Sequence, residues 1–208
     1  MIYPKPFAPA AERNKQAIQL ALQKVLHAHD TVFEFGSGTG QHACHMAAAM
    51  PNLTWQPSDL KDKLTGIRQW IAESGCHNIR PPVQLDLDDR LLPAHKASVC
   101  FSANTLHIVS WRHVEKLFKF SAAIMSNSDN GMLCVYGPFV FDGQHVSDSN
   151  NQFDQQLRHR HPQSGLRDVT ALDQLARSNG FTAAKIIDMP ANNHLLVWDR
   201  GTSDSLYD

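Results

Sequence analysis

The chain has 208 residues, 42% of them hydrophobic and 19% charged, a mixture that suits one soluble globular domain with a sizeable core. Nineteen basic side chains against twenty acidic ones leave a net charge of −1 and no Lys/Arg block, which argues against a nucleic-acid backbone as partner. No apolar run approaches the roughly 20 residues of a membrane span, and the N-terminus carries no apolar signal core, so the expected compartment is the cytoplasm.

Pro4, Pro6 and Pro9 make the first residues an extended arm. A helix is predicted from Ala10, with Ile18, Leu22, Val25 and Leu26 along one face. Its first turn carries Glu12, Arg13, Asn14 and Lys15. This cluster is either a solvated helix end or part of a lid that brings Arg13 or Asn14 over a ligand.

Val32, Phe33 and Phe35 then read as a buried strand, and three glycines follow at alternate positions, Gly36, Gly38 and Gly40. Gln41 to Met50 reads as a helix. Strand, glycine turn and helix form the nucleotide-binding corner of an open parallel sheet. Glycine can take positive φ there and has no Cβ to hold a ligand off the backbone. A dinucleotide fingerprint is Gly-x-Gly-x-x-Gly, which lays a pyrophosphate on a helix N-terminus. Here the spacing is Gly-x-Gly-x-Gly, and Glu34 stands two residues before the first glycine. A carboxylate there repels a pyrophosphate and favours a ligand with positive charge. S-adenosylmethionine, a phosphate-free nucleoside with a sulfonium and an ammonium group, fits that description. The competing readings are a turn with no ligand and a nicotinamide site, against which the spacing counts.

Leu53 to Gln56 is the second predicted strand, and Asp59 follows about 20 residues beyond the glycine turn. An acid at that distance can accept from both ribose hydroxyls, although Ser58 or Asp59 could equally cap the next helix. That helix, Leu60 to Ser74, carries Leu64, Ile67 and Ile71 in register and stops at Gly75. A third strand, Val83 to Leu85, ends at Asp86-Leu87-Asp88-Asp89. Asp86 is the candidate to accept from an adenine amino group, with the Leu87 backbone beside it. A plain polar loop is the alternative.

Ala97 to Phe101 is the fourth predicted strand and leads into Ser102-Ala103-Asn104-Thr105-Leu106-His107. Strand carboxyl ends face the crevice in such sheets. Asn104 can meet a donor there, and His107, a residue that titrates near neutrality, can face an acceptor as a base. Both could instead only fix a loop.

A helix is expected over Ser110 to Met125, and a fifth strand over Met132 to Tyr136 after the Asn130-Gly131 turn. Residues 140–166 lack a regular pattern and are read as an irregular cap on the acceptor side or as a solvated loop leading into a surface helix. Thr170 to Asp173 reads as a capping box, with Asp in place of Glu, opening a helix that stops at Gly180. Phe181 to Met189 and Leu195 to Asp199 close the chain as a strand pair around Pro190 to His194. The last eight residues read as disordered.

Cys44, Cys76, Cys100 and Cys134 are widely separated and read as small buried hydrophobes, not as disulfides or a zinc set. His42 and His45 stand three apart on one helix, but no acidic or Cys ligand lies at matching spacing, so no metal is expected.

Together these phrases resemble a known family. The Glu-x-Gly-x-Gly-x-Gly run at Glu34 to Gly40 is similar to the first motif of the class I S-adenosylmethionine-dependent methyltransferases. More narrowly, Ala10 to Lys15, Gly36 to His42, Trp55 to Asp59, Asn104 with His107, and Met189 to Asn193 resemble the methyltransferase-like 26 branch, also called domain of unknown function 938. The resemblance implies an α/β, Rossmann-like fold: a seven-stranded, mostly parallel sheet with an antiparallel last strand and helices on both faces. It spans 1–208 as one domain, with 1–30 as N-terminal arm and helix. It also implies S-adenosylmethionine as cofactor and a small-molecule acceptor. The cofactor residues expected are Glu34, Gly36, Ser37, Gly38, Gly40, Asp59, Asp86, Leu87 and Asn104. His107 and Asn104 are the catalytic candidates, and Asn14, Tyr136, Asn150 and Asn192 the acceptor candidates. A non-catalytic protein that binds the donor or its demethylated product, as sensor or partner subunit, is the second reading.

Overall fold

The computed structural model describes residues 4–89, 95–126, 128 and 130–201. Apart from Gly201, the tail expected to be disordered lies outside them. Helix α1 (Pro9–Leu22) follows the arm, with a proline in its first turn where the missing N–H costs nothing. Then come β1 (Thr31–Phe35), α2 (Gln41–Ala49), β2 (Thr54–Asp59), α3 (Leu64–Ser74), β3 (Val83–Gln84), β4 (Val99–Ala103), α4 (Trp111–Ile124) and β5 (Met132–Gly137). The chain continues through β6 (Phe139–Phe141), β7 (Gln144–His145), α5 (Asp148–Arg160), β8 (Arg167–Asp168) and α6 (Val169–Ser178), and ends with β9 (Lys185–Met189) and β10 (Asn193–Asp199).

Seven strands form one sheet in the order β3-β2-β1-β4-β5-β10-β9. β1 to β5 run parallel, and β10 pairs antiparallel with both β5 and β9. This is the seven-stranded, mostly parallel sheet with an antiparallel last strand that the resemblance implies. The sheet core is two-sided because side chains alternate across a strand. Val32, Phe101, Cys134, Tyr136, Leu195 and Val197 pack against α1 and α2. Phe33, Cys100, Leu133, Val135, Leu196 and Trp198 pack on the other face, against α4 and α6.

Several boundaries move for physical reasons. β2 extends through Pro57 to Asp59. The Trp55 N–H and C=O reach Asn78 and Arg80. By alternation the Pro57 nitrogen faces that same side, in the gap before β3 pairing begins at Ser58. α6 is capped by Asp168, whose side chain accepts from the Thr170 N–H, not by Thr170 itself. Asp173, placed in the expected capping box, instead accepts from Trp198 Nε1 at 2.7 Å and Ala184 N at 3.0 Å, tying α6 to the sheet. The β9–β10 connection is tight, with Ala191 and Asn192 both in the left-handed region. Residues 140–166, expected to be irregular, contain most of β6, all of β7 and the 13-residue α5, and β6 joins β7 and β8 in a separate three-stranded sheet. Cys44, Cys100 and Cys134 are buried and all four thiols are free.

Candidate functional site

The glycine turn is stitched to the tip of β2. Ser37 N donates to Ser58 O at 3.0 Å, Ser58 N donates to Ser37 Oγ at 3.1 Å, and the Ser58 hydroxyl donates to Glu34 O at 2.6 Å. Gly36, Gly38 and Gly40 have φ of +67, +60 and +90°, a region costly for any side chain. Their surroundings differ. A Cβ at Gly38 would meet nothing within 4 Å, so its face is open. A Cβ at Gly40 would lie 3.1 Å from Ile67 Cα, so that glycine lets α2 approach α3. At Gly36 a Cβ would collide with Thr105.

Beyond the turn lies a crevice of about 530 Å³ at the carboxyl ends of β1, β2, β3 and β4. Gly36, Ser37, Gly38, Asp59, Asp86, Leu87 and Asn104, seven of the expected cofactor residues, all line it. Asp59 Oδ2 accepts from Gly38 N at 2.6 Å and Oδ1 from Leu60 N at 2.7 Å, so one carboxylate links the turn to the second strand tip. Burial raises its pKa, against the lowering effect of these two amides. Asp86 Oδ1 accepts from Asp88 N at 2.8 Å, which fixes the third strand tip. Asn104 sits at φ +57° and donates its N–H to Tyr136 O. Its left-handed backbone turns the chain just after β4, where Asn104 lines the crevice.

Other expected residues stand behind the wall. Glu34 is fully buried, shares the Val32 face of β1, and accepts from Trp55 Nε1 at 3.0 Å and Ser37 Oγ at 2.9 Å. Burial pushes its pKa up to about 7. His107 is buried, edge-on to Phe153 with ring centroids 5.4 Å apart, and burial pushes its pKa down to about 4. It is absent from the described lining of the crevice, so its place does not match the expected contact with an acceptor there. The four acceptor candidates fall into two pairs. Asn14 hydrogen-bonds Tyr136 and places its Oδ1 2.7 Å from His42 Nε2. Asn150 Nδ2 donates to Asn192 O at 3.0 Å.

The N-terminal arm and the start of α1 reach the crevice through residues other than those in the expected cluster. Ala8, Ala10 and Ala11 line the crevice, whereas Arg13 is exposed. The arm is fastened along α3: Trp70 Nε1 donates to Pro6 O at 2.7 Å, and Lys5 pairs with Glu73 over the Trp70 ring. Ala8 N donates to Gln41 Oε1 at 2.6 Å. Sequence reasoning also missed His42, Ile108, Val109 and His113 in the lining. His113 Nε2 meets Asp88 Oδ1 at 3.1 Å. Its signal was its position three residues after Ser110, the α4 cap.

The family described as "Protein of unknown function (DUF938)" matches residues 5–200 of the chain. The chain belongs to that family.

Solved structures similar to this DUF938 protein are S-adenosylmethionine-dependent methyltransferases and their relatives. An O-methyltransferase family protein from Burkholderia thailandensis superposes with a TM-score of 0.79 at 18% identity, over 93% of this chain and 58% of that one. The apo S-adenosylmethionine-dependent methyltransferase SibL gives 0.78 at 19%, over 93% and 56%. Human N-acetylserotonin methyltransferase, solved with S-adenosylmethionine bound, gives 0.77 at 16%, over 93% and 53%. The DUF938 chain thus has the Rossmann-like class I fold and spans a little over half the length of these proteins. Among its described residues no helix is long and apolar enough to cross a membrane.

Proposed function

We propose that the crevice binds S-adenosylmethionine and that the protein passes the methyl group to a small-molecule acceptor. The observation that carries the reading is the lining. Two carboxylates, Asp59 and Asp86, border a mostly apolar crevice, and no Lys or Arg is among its described residues. That wall suits a cationic, phosphate-free nucleoside and opposes a pyrophosphate.

In this reading Gly36, Ser37 and Gly38 let the ligand approach the backbone at the open face of the turn. Asp59 takes the ribose hydroxyls as acceptors. Asp86 and Leu87 hold the adenine, and Asn104 borders the reacting end. Glu34 and Gly40 act beneath the turn, one by holding Ser37 and Trp55 and the other by seating α2 on α3. Asn14 and Tyr136 on one side, with Asn150 and Asn192 on the other, flank the acceptor. When bound, S-adenosylmethionine supplies both the methyl group and its own leaving group. The chain's task is then to position two reactants and exclude water.

One observation favours the second reading, a sensor or partner subunit that binds without turnover: His107, the expected base, is buried, and burial makes its imidazole a poor proton acceptor. Incubating the protein and labelled S-adenosylmethionine with fractionated cell extract separates the two. Labelled product that depends on intact Asp59 supports the enzyme. Donor binding with no labelled product in any fraction supports the binder, and tight NADH binding without donor binding contradicts both.

A further inference from the structure

The loop Asn104–Val109 has two sides. Asn104, Thr105, Ile108 and Val109 line the crevice. On the other side its last four carbonyls are each met by a five-residue segment, Gln163–Arg167, which ends the insertion between β5 and α6. Arg167 Nε donates to Leu106 O at 2.9 Å, and Gly165 N donates to His107 O at 2.9 Å. Ser164 Oγ donates to Ile108 O at 2.6 Å, and Arg167 Nη2 donates to Val109 O. The same Nη2 reaches Gln163 O at 3.0 Å, closing the segment on itself.

Arg167 is 8% exposed. Among the described ion pairs it has no carboxylate partner. Burying a guanidinium is costly unless its donors are paired, and here Nε and Nη2 donate to the carbonyls of Leu106, Val109 and Gln163. An apolar side chain would fill the same space without that cost. The planar fork instead fixes two carbonyls three residues apart in one geometry. The clamp is itself anchored in α5. Asp154 Oδ1 accepts from Leu166 N at 2.7 Å, and the same carboxylate meets Arg158 Nε and His145 Nε2 at 3.1 Å. Gly165 has φ +141°, and a Cβ there would lie 2.7–2.8 Å from Arg158 and Asp154 atoms, so the segment passes this point only as glycine.

We infer that Ser164 and Arg167 are positioning residues: they hold the Asn104–Val109 loop in its crevice-lining shape, and through them the insertion sets how tightly the crevice holds its ligand. The inference rests on the crevice being the S-adenosylmethionine site. The geometry makes the insertion and the crevice wall one mechanical unit, so an acceptor seated against the insertion alters donor affinity, and the donor alters acceptor affinity equally.

The test uses Ser164→Ala, Arg167→Lys and, as a control remote from the loop, Asp173→Ala. Hydrogen exchange of the 104–109 peptide is measured without ligand, and S-adenosylhomocysteine binding by calorimetry. The inference expects faster exchange in that peptide and binding weakened about tenfold in both clamp variants. In Asp173→Ala it expects a lower melting temperature with loop exchange and binding unchanged. Should Arg167→Lys not fold, Ser164→Ala, which removes one hydroxyl, gives the answer alone. Unchanged loop exchange overturns the clamp. Faster exchange with unchanged binding overturns the coupling. Wild-type protein that ignores S-adenosylhomocysteine overturns the crevice reading itself, a different result from wild-type binding with unaffected variants.

Discussion

Glu34 carries a carboxyl into the protein interior with two hydrogen-bond donors beside it, and burial raises its pKa from 4.5 to about 7. The folded state therefore holds this proton more tightly than the unfolded chain. Its contribution to stability is full below about pH 4.5 and is lost as pH rises toward 7, up to about 3 kcal/mol. Glu34→Gln keeps an oxygen for Trp55 Nε1 and Ser37 Oγ, so denaturant titrations at pH 5 and pH 8 should show a smaller difference in the variant than in wild type. Asp59→Ala removes an acceptor that already holds Gly38 N and Leu60 N, and should weaken donor binding by about 1–3 kcal/mol, read by calorimetry. Gly38→Val adds a side chain into open space, so it should abolish binding through backbone strain and obstruction of the crevice, while Gly40→Val should instead lower the melting temperature by pushing against Ile67. At this scale the glycine spacing and the three acidic or amide strand tips were legible in the sequence. The contacts of Glu34 were not, because the face of β1 decides them: alternation points Glu34 with Val32 toward Trp55, and Glu34 is not in the described lining of the crevice. His107 lies in a loop, where no periodicity indicates which way a side chain points.

Among the elements, the N-terminal arm is fastened to α3, where Pro6 meets Trp70, 64 residues further along the chain. A Cβ on Gly66 would lie 2.4 Å from Pro6 Cγ, so Gly66→Val should lift the arm from α3. Limited proteolysis should then cut within residues 4–8 faster, and Trp70 emission should shift as its Nε1 loses Pro6 O. The place of α5 was not legible in the sequence because Phe153 and Leu157 are nearly its whole apolar content, too little for a stripe. Its ends specify it instead. Ser147 accepts from Asn150 N, Asp148 stands in the first turn, and Arg158, His159 and Arg160 stand in the last, each favourable to the helix dipole. The order of strands and helices was readable because the buried strands are short apolar runs between breakers. Boundaries at Pro57 and Asp168 were not, since each depends on what lies beside it in the sheet.

At the level of the whole molecule, the two-sided core and the crevice are consequences of one arrangement: helices on both faces of a sheet whose strand order changes direction at β1 and β4. Phe118, fully buried between Phe181 and Trp198, fastens α4 to that sheet. Phe118→Ala should cost about 3–5 kcal/mol in chemical denaturation. The central claim, that the crevice is built for a positively charged nucleoside without phosphate, is tested most directly by calorimetric titration of the purified protein with S-adenosylmethionine. The account predicts one site per chain, weakened in Asp59→Ala. No heat at millimolar ligand, or equal affinity in the variant, would contradict it.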